Sequence, residues 1–214
     1  GFAHDADGER IAIVTETGEA LSEEMTLAIA TEIKLSKKSG TVVTHLSTSG
    51  TIEAIAARHS SSVVRTPVGQ AYISEAMLEH NAVLGGEGNG AVAIPEVHAT
   101  NDAAATIGLI LEHLAKTGIT ISELAASLPR YVMLKHYVAV APNKLFSVLN
   151  EIRAEAETAG ATNIDFSDGI KLSWPDGWLH IRASNTESMI RLIAEAETET
   201  RANDLLDWAV DRLK

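Results

Sequence analysis

The run Thr41–His80, TVVTHLSTSGTIEAIAARHSSSVVRTPVGQAYISEAMLEH, sets the fold class of this chain. Thr41 to Leu46 is rich in β-branched residues and reads as a strand, whereas Thr51 to His59 is amphipathic and reads as a helix. Ser62 to Arg65 repeats the strand signal and Gln70 to His80 the helix signal, with Pro67 and Gly69 shaping the turn between them. Strands that alternate with helices imply a mostly parallel sheet covered on both faces.

The pattern continues on both sides. Downstream, Ala82 to Leu84 and Ala91 to Ile94 read as short strands around a glycine-rich loop, and Asp102 to Lys116 as a long helix. Thr120-Ile-Ser-Glu123 is a capping box opening a helix to Leu128, and Pro129 marks a boundary. Beyond it come a strand (Met133 to Val140) and a helix (Asn143 to Ala159). Asn163 to Phe166, Ile170 to Trp174 and Trp178 to Ile181 follow as strands joined by Asp168-Gly169 and Asp176-Gly177 turns. Ile190 to Ala194 is a further strand and Arg201 to Leu213 a closing helix, giving an α+β unit with a mostly antiparallel sheet. Upstream, Phe2 to His4 and Arg10 to Thr15 read as strands. Ser22 followed by Glu23 and Glu24 starts a helix, a hydroxyl cap and then acids at the positive end, that runs to about Lys38 and ends at Gly40. The expected class is therefore α/β: a mixed or parallel α/β domain, then a small α+β domain.

At 214 residues and 45% hydrophobic, the chain can bury one large core or two small ones. No apolar run approaches the roughly 20 residues needed to cross a bilayer. The absence of Cys removes disulfides and thiolate metal sites and fits a cytoplasmic protein. A formal net charge of −12 argues against nucleic acid and anionic membranes as partners. A phosphorylated ligand would need a local basic pocket in this acidic body.

Three constellations carry chemistry. Asp5, Asp7 and Glu9 alternate in the run Gly1–Arg10, which in an extended loop puts all three carboxylates on one side. Like charges that close repel unless a cation lies between them, and hard oxygen donors suit Mg²⁺. Arg10 adds a fixed cation that could hold a phosphate beside the metal. The plain alternative is a solvated acidic turn. In Gly85-Gly86-Glu87-Gly88-Asn89-Gly90, glycines permit close backbone approach, while Glu87 and Asn89 could grip vicinal sugar hydroxyls. A glycine-rich turn between strands is the competing reading. In Arg182-Ala-Ser-Asn-Thr-Glu187, Arg182 can bind a phosphate bidentately, with Ser184, Asn185 and Thr186 as neutral donors, or the run is an ordinary polar turn. Arg65 and Thr66 could face a ligand or belong to a structural turn. The eight His residues form no metal-binding spacing.

In this order, the acidic loop, the Arg65-Thr-Pro-Val-Gly69 turn, the Gly85–Gly90 loop and the Arg182–Glu187 loop resemble the alpha-D-phosphohexomutase family of phosphoglucomutases, phosphomannomutases and phosphoglucosamine mutases. The resemblance spans the whole chain. Family members have four domains around a cleft. It implies that residues 1–38 are the end of the second domain, 39–130 the third and 131–214 the fourth. It also implies a mutase that converts 1-phospho and 6-phospho sugars through a bisphosphate intermediate and a first-domain phosphoserine. By this resemblance Asp5, Asp7 and Glu9 bind Mg²⁺, and Arg10 lies by the transferred phosphoryl group. Glu87 and Asn89 serve the sugar, and Arg182, Ser184, Asn185 and Thr186 hold the non-reacting phosphate of a phosphorylated hexose.

The chain departs from the family pattern in places. Glu9 stands where the third acid is usually Asp; Pro67 and Ala91 stand where many members have Lys and His; Asn101 lies where many have a basic residue. The general acid/base role could then rest on Arg10, Arg65 or a residue outside this chain. No Thr-Ala-Ser-His-Asn-Pro-like serine loop occurs, so the expected partners are the missing N-terminal domains of the same enzyme, and the isolated chain is expected to be inactive. A non-catalytic sugar-phosphate-binding paralogue is the alternative. A metal-dependent phosphatase ranks below both, because dehalogenase-type D-x-D loops usually carry Thr or Val where Glu9 stands.

Overall fold

A computed structural model describes residues 1–184 and 188–213. The chain divides into two compact units, Gly1–Pro129 and Arg130–Lys214.

The first unit opens with β1 (Phe2–His4) and β2 (Ile11–Ile13), an antiparallel hairpin that pairs Phe2 with Ile13. There follow α1 (Glu23–Lys37), β3 (Thr41–His45), α2 (Thr51–Arg58), β4 (Ser62–Thr66) and α3 (Gln70–Glu79). The unit ends with β5 (Leu84–Glu87), β6 (Ala91–Ala93), α4 (Ala103–Thr117) and α5 (Ile121–Ser127). The sheet order is β4-β3-β5-β6, with the first three strands parallel and β6 antiparallel to β5. Adjacent valines on β3 show that both faces are covered. Val42 packs with Leu27 of α1, Ile52 of α2 and Ile110 of α4, whereas Val43 packs with Ile73 and Met77 of α3.

The break expected near Lys38 is not a division between compact units. Leu27, Ile29 and Ile33 of α1, and Ile11 and Ile13 of β2, share one core with Val42, Ile55 and Ile110. Ser22 sits at the N-cap of α1 but makes no side-chain cap bond. Gly40 is explained by packing: a Cβ there would lie 2.5 Å from Val83 Cγ1. Elsewhere the caps follow the sequence signals. Asp102 Oδ1 accepts from Ala105 N–H at 2.8 Å to start α4, and both arms of the Thr120–Glu123 box start α5.

The second unit contains β7 (Val132–Ala139), α6 (Leu145–Glu155) with a 3₁₀ turn at Ala156–Ala159, β8 (Asn163–Asp165), β9 (Ile170–Trp174), β10 (Gly177–Ala183), β11 (Met189–Ala196) and α7 (Glu199–Asp211). Every neighbouring pair in the order β7-β11-β10-β9-β8 is antiparallel. Leu172, Leu179, Ile181 and Leu192 form the apolar core with Ile152 of α6 and Leu205 of α7. Alternation then puts Lys171, His180 and Arg182 on the opposite sheet face, and these too are at most 8% exposed. Among the described residues, no helix is long and apolar enough to cross a membrane.

Candidate functional site

The acidic run forms a tight turn rather than an extended loop. Asp5 N–H donates to Arg10 O at 3.2 Å, Gly8 N–H donates to Asp5 O at 3.2 Å, and Gly8 adopts φ +72°. The Asp5 carboxylate is the hub. Its Oδ1 accepts from the Glu9 and Arg10 N–H groups at 2.9 and 3.1 Å, and its Oδ2 accepts from Arg10 Nε–H at 2.6 Å. These bonds from Arg10 hold the Asp5 carboxyl well below the usual carboxylate range, and the same pair raises Arg10.

A reversing turn does not keep the two-residue period of a strand, so the three acids are not aligned as alternation suggested. Among the described residues, no group of three or more His, Asp or Glu side chains could hold a metal ion. The donor chemistry still fits Mg²⁺: Asp5, Asp7 and Glu9 offer hard oxygens within one turn, and Asp5 is ionised. As placed, Asp5 is turned onto Arg10.

Arg10 joins this turn to the glycine-rich loop. It forms an antiparallel bridge with Ala91, and Ile11 N–H donates to Gly90 O at 3.0 Å. The glycine-rich segment is half strand, because Gly85, Gly86 and Glu87 pair with Ala93, Val92 and Ala91. Its glycines permit close approach. A Cβ on Gly86 would lie 2.4 Å from Ala91 O, and one on Gly90, at φ +93°, 2.4 Å from Ile11 O. Glu87 Oε2 accepts from Asn89 Nδ2–H at 2.8 Å, and Asn89 Oδ1 accepts from Ala91 N–H at 3.1 Å. Both ends of the Asn89 amide are thus engaged inside the hairpin, where Asn89 orients the Glu87 carboxylate.

Two residues from outside this run reach the same place. The Glu24 carboxylate accepts from Ser49 N–H at 3.1 Å and lies where a Cβ on Gly88 would meet it. In the sequence, Glu24 carried only the signal of a helix-start acid. His45, at the end of β3, has Nε2 4.0 Å from Glu87 Oε1. As one His among eight without metal spacing, it gave no sequence signal.

Arg65 is engaged by protein groups. It forks onto Glu53, with Nε 2.7 Å from Oε1 and Nη2 2.6 Å from Oε2. Its Nη1 donates to His45 O and Thr48 O at 2.7 and 2.6 Å, and Nη2 donates to Ser49 O at 3.2 Å. It is a brace for the loop after β3, which removes it from the acid/base candidates.

In the second unit Arg182 is a strand residue opposite Arg191 rather than a residue that follows the strand. It is 8% exposed, and its Nε lies 3.4 Å from Asp168 Oδ2. Ser184 N–H donates to Met189 O at 2.9 Å. Asn185 and Thr186 lie outside the described residues. Sequence reasoning gave Asp168 only a turn role and gave His180 none. His180 Nε2–H donates to Asp168 O at 2.6 Å, and burial pushes the imidazole down to about 4. Gly169, at φ +77°, lies against Ile181 O, so the turn it begins is pressed onto the strand that carries Arg182.

Two domain models of one family match the chain: phosphoglucomutase/phosphomannomutase alpha/beta/alpha domain III over residues 22–131, and phosphoglucomutase/phosphomannomutase C-terminal domain over residues 137–211. The chain is 34% identical over 215 residues to a phosphoglucomutase/phosphomannomutase of Thermococcus kodakarensis, a match that covers 100% of this chain and 47% of the relative. It is 33% identical to a probable phosphoglucosamine mutase of Methanopyrus kandleri, covering 99% and 47%. The crystal structure of a phosphoglucomutase/phosphomannomutase family protein from Burkholderia thailandensis superposes with a TM-score of 0.83 at 25% identity, over 98% of this chain and 46% of that one. The chain therefore spans about half the length of the relatives it matches. With both domain models in chain order and a shared fold, the chain belongs to the alpha-D-phosphohexomutase family.

Proposed function

We propose that this chain supplies the sugar-binding and phosphate-binding half of a mutase that interconverts 1-phospho and 6-phospho hexoses, with glucose, mannose or glucosamine phosphate as substrate. The observation that carries this reading is the Arg10–Ala91 bridge, which sets Arg10 and the acidic turn beside the hairpin of Glu87. Glu87, oriented by Asn89, accepts from vicinal hydroxyls, and Arg182 with Ser184, Asn185 and Thr186 binds the phosphate that is not reacting. Arg10 lies by the transferred phosphoryl group and neutralises its developing charge.

In the proposed reaction an enzyme phosphoserine gives its phosphoryl group to the free hydroxyl of the sugar phosphate. The bisphosphate turns over, and its other phosphoryl group passes back to the serine. Residues of this chain hold the sugar in both orientations. Asp5, Asp7 and Glu9 would hold Mg²⁺, which when bound supplies positive charge to the phosphoryl oxygens. The serine is placed outside these 214 residues, because they contain no Thr-Ala-Ser-His-Asn-Pro-like loop. The lack of Cys supports a cytoplasmic setting.

The test compares the full-length enzyme with the 214-residue chain, using glucose-, mannose- and glucosamine-1-phosphate with Mg²⁺. Turnover is expected in the longer protein alone, and the preferred substrate names the hexose. Robust isomerisation by the 214-residue chain would overturn the reading. A second reading, a non-catalytic sugar-phosphate-binding paralogue, is favoured by Glu9 and by an Asp5 engaged with Arg10. Phosphosugar binding without turnover in the full-length protein would select it.

A further inference from the structure

We infer that His45 is a positioning residue for Glu87, fixing the plane of the carboxylate that reads the sugar hydroxyls and thereby setting stereochemical preference. The inference rests on the reading of Glu87 as the sugar ligand. His45 is 7% exposed at the end of β3, where β3 runs beside β5. Its Nδ1 accepts from Ser47 N–H at 3.1 Å. A backbone amide can only donate, so Nδ1 bears no proton and the neutral ring carries its proton on Nε2. That N–H lies 4.0 Å from Glu87 Oε1, and the two side chains are only 9% and 12% exposed. The spacing is too long for a formed hydrogen bond, yet between two largely buried groups the N–H dipole favours a carboxylate turned toward it. Asn89 holds the other oxygen at 2.8 Å, so one carboxylate oxygen is fixed by a hydrogen bond and the other is biased by the imidazole beside it.

The ring is itself held from behind. Thr48 Oγ1 lies 3.1 Å from Nδ1, and Arg65 grips the carbonyls of His45, Thr48 and Ser49. Thr44 Oγ1 donates to Gly86 O at 2.8 Å, which ties β3 to the strand that carries Glu87. The run from Glu53 through Arg65 to His45 is thus a scaffold that ends on Glu87 without using the Mg²⁺ turn.

The experiment uses the full-length enzyme with His45→Leu, His45→Gln, Glu87→Gln and the His45→Leu/Glu87→Gln double variant. His45→Leu is expected to raise KM by about ten-fold with a smaller change in kcat, and to narrow the preference between glucose- and mannose-1-phosphate. His45→Gln, which keeps an amide donor, recovers part of the loss. In the Glu87→Gln background His45→Leu adds little. Equal KM in His45→Leu and wild type, or fully additive effects in the double variant, would overturn the inference. A second measurement does not depend on the variants folding: ¹⁵N NMR of the imidazoles in the unsubstituted 214-residue chain is expected to show His45 as the Nε2–H tautomer, and an Nδ1–H ring overturns the inference whatever the kinetics. A wild-type enzyme with no affinity for any of the three phosphosugars overturns the functional reading instead, an outcome the tautomer result keeps separate.

Discussion

Arg65 illustrates how far a side chain's role depends on partners that its own sequence neighbourhood does not reveal. Beside Pro67 and Gly69 it reads as a candidate ligand contact, but its donors are engaged by Glu53 and by three carbonyls of the preceding loop. Lysine has three donors and no fork, so Arg65→Lys should leave some of these carbonyls without a protein partner. A loss of about 1–3 kcal/mol is expected, read as a lower urea midpoint by far-UV circular dichroism. An unchanged midpoint would show that the brace does not matter. Arg182 is the contrasting case, since the sequence reading sets it after the strand that ends at Ile181 whereas it lies on the strand itself, opposite Arg191. Arg182→Ala should weaken phosphosugar binding by at least about ten-fold in titration calorimetry. Unchanged affinity would remove it as the phosphate anchor. The acidic turn was legible in composition but not in geometry. Alternation predicts a shared side only while the chain stays extended, and the Asp5–Arg10 bonds fold it back on itself.

At the level of elements, hydrophobic period and β-branching located nearly every helix and strand, and the caps at Asp102 and Thr120 were readable because Asp and Thr-x-x-Glu act through bonds local in sequence. The strand β5 begins at Leu84, where the sequence signal over Ala82–Leu84 ends, for a physical reason. Gly85 and Gly86 have low strand propensity, and they are in the strand because helices on both faces leave no room for a side chain. This predicts unequal costs for two neighbouring substitutions. A Cβ on Gly85 meets the end of the flexible Met77 side chain, whose Sδ would lie at 2.2 Å, whereas one on Gly86 meets the backbone oxygen of Ala91 at 2.4 Å. Gly85→Ala should cost about 1–3 kcal/mol, as overpacked cores do, and Gly86→Ala should cost more because a carbonyl in a strand pair cannot rotate away. Chemical denaturation of the two variants checks the order, and equal costs would count against the backbone clash. Asp102→Ala, by contrast, should cost only about 1 kcal/mol, since it removes one cap bond from α4.

For the whole molecule, the division at Pro129 gives two units with separate apolar cores, and their unfolding can be followed separately. All three tryptophans, Trp174, Trp178 and Trp208, belong to the second unit, so their fluorescence reports that unit alone while circular dichroism reports both. The same unit buries His180, whose imidazole falls from the ordinary 6.5 to about 4, chiefly through desolvation. The unfolded chain therefore binds a proton near 6.5 that the folded chain refuses until about 4. Between those values the unfolded state carries more protons, so the stability of the second unit rises with pH. The contribution is complete above 6.5, declines as pH falls and is gone near 4. At about 1.4 kcal/mol for each pH unit of that window, it amounts to about 3 kcal/mol at most. His180→Gln retains a donor toward Asp168 O but cannot titrate. The fluorescence-detected stability of wild type should then fall more steeply between pH 6.5 and 4 than that of His180→Gln, and the subtraction removes the carboxylates the two proteins share. Parallel pH profiles would mean that the folded unit lets His180 take its proton at the ordinary pH, and that burial on the polar sheet face does not hold the ring neutral beside Asp168 and Arg182.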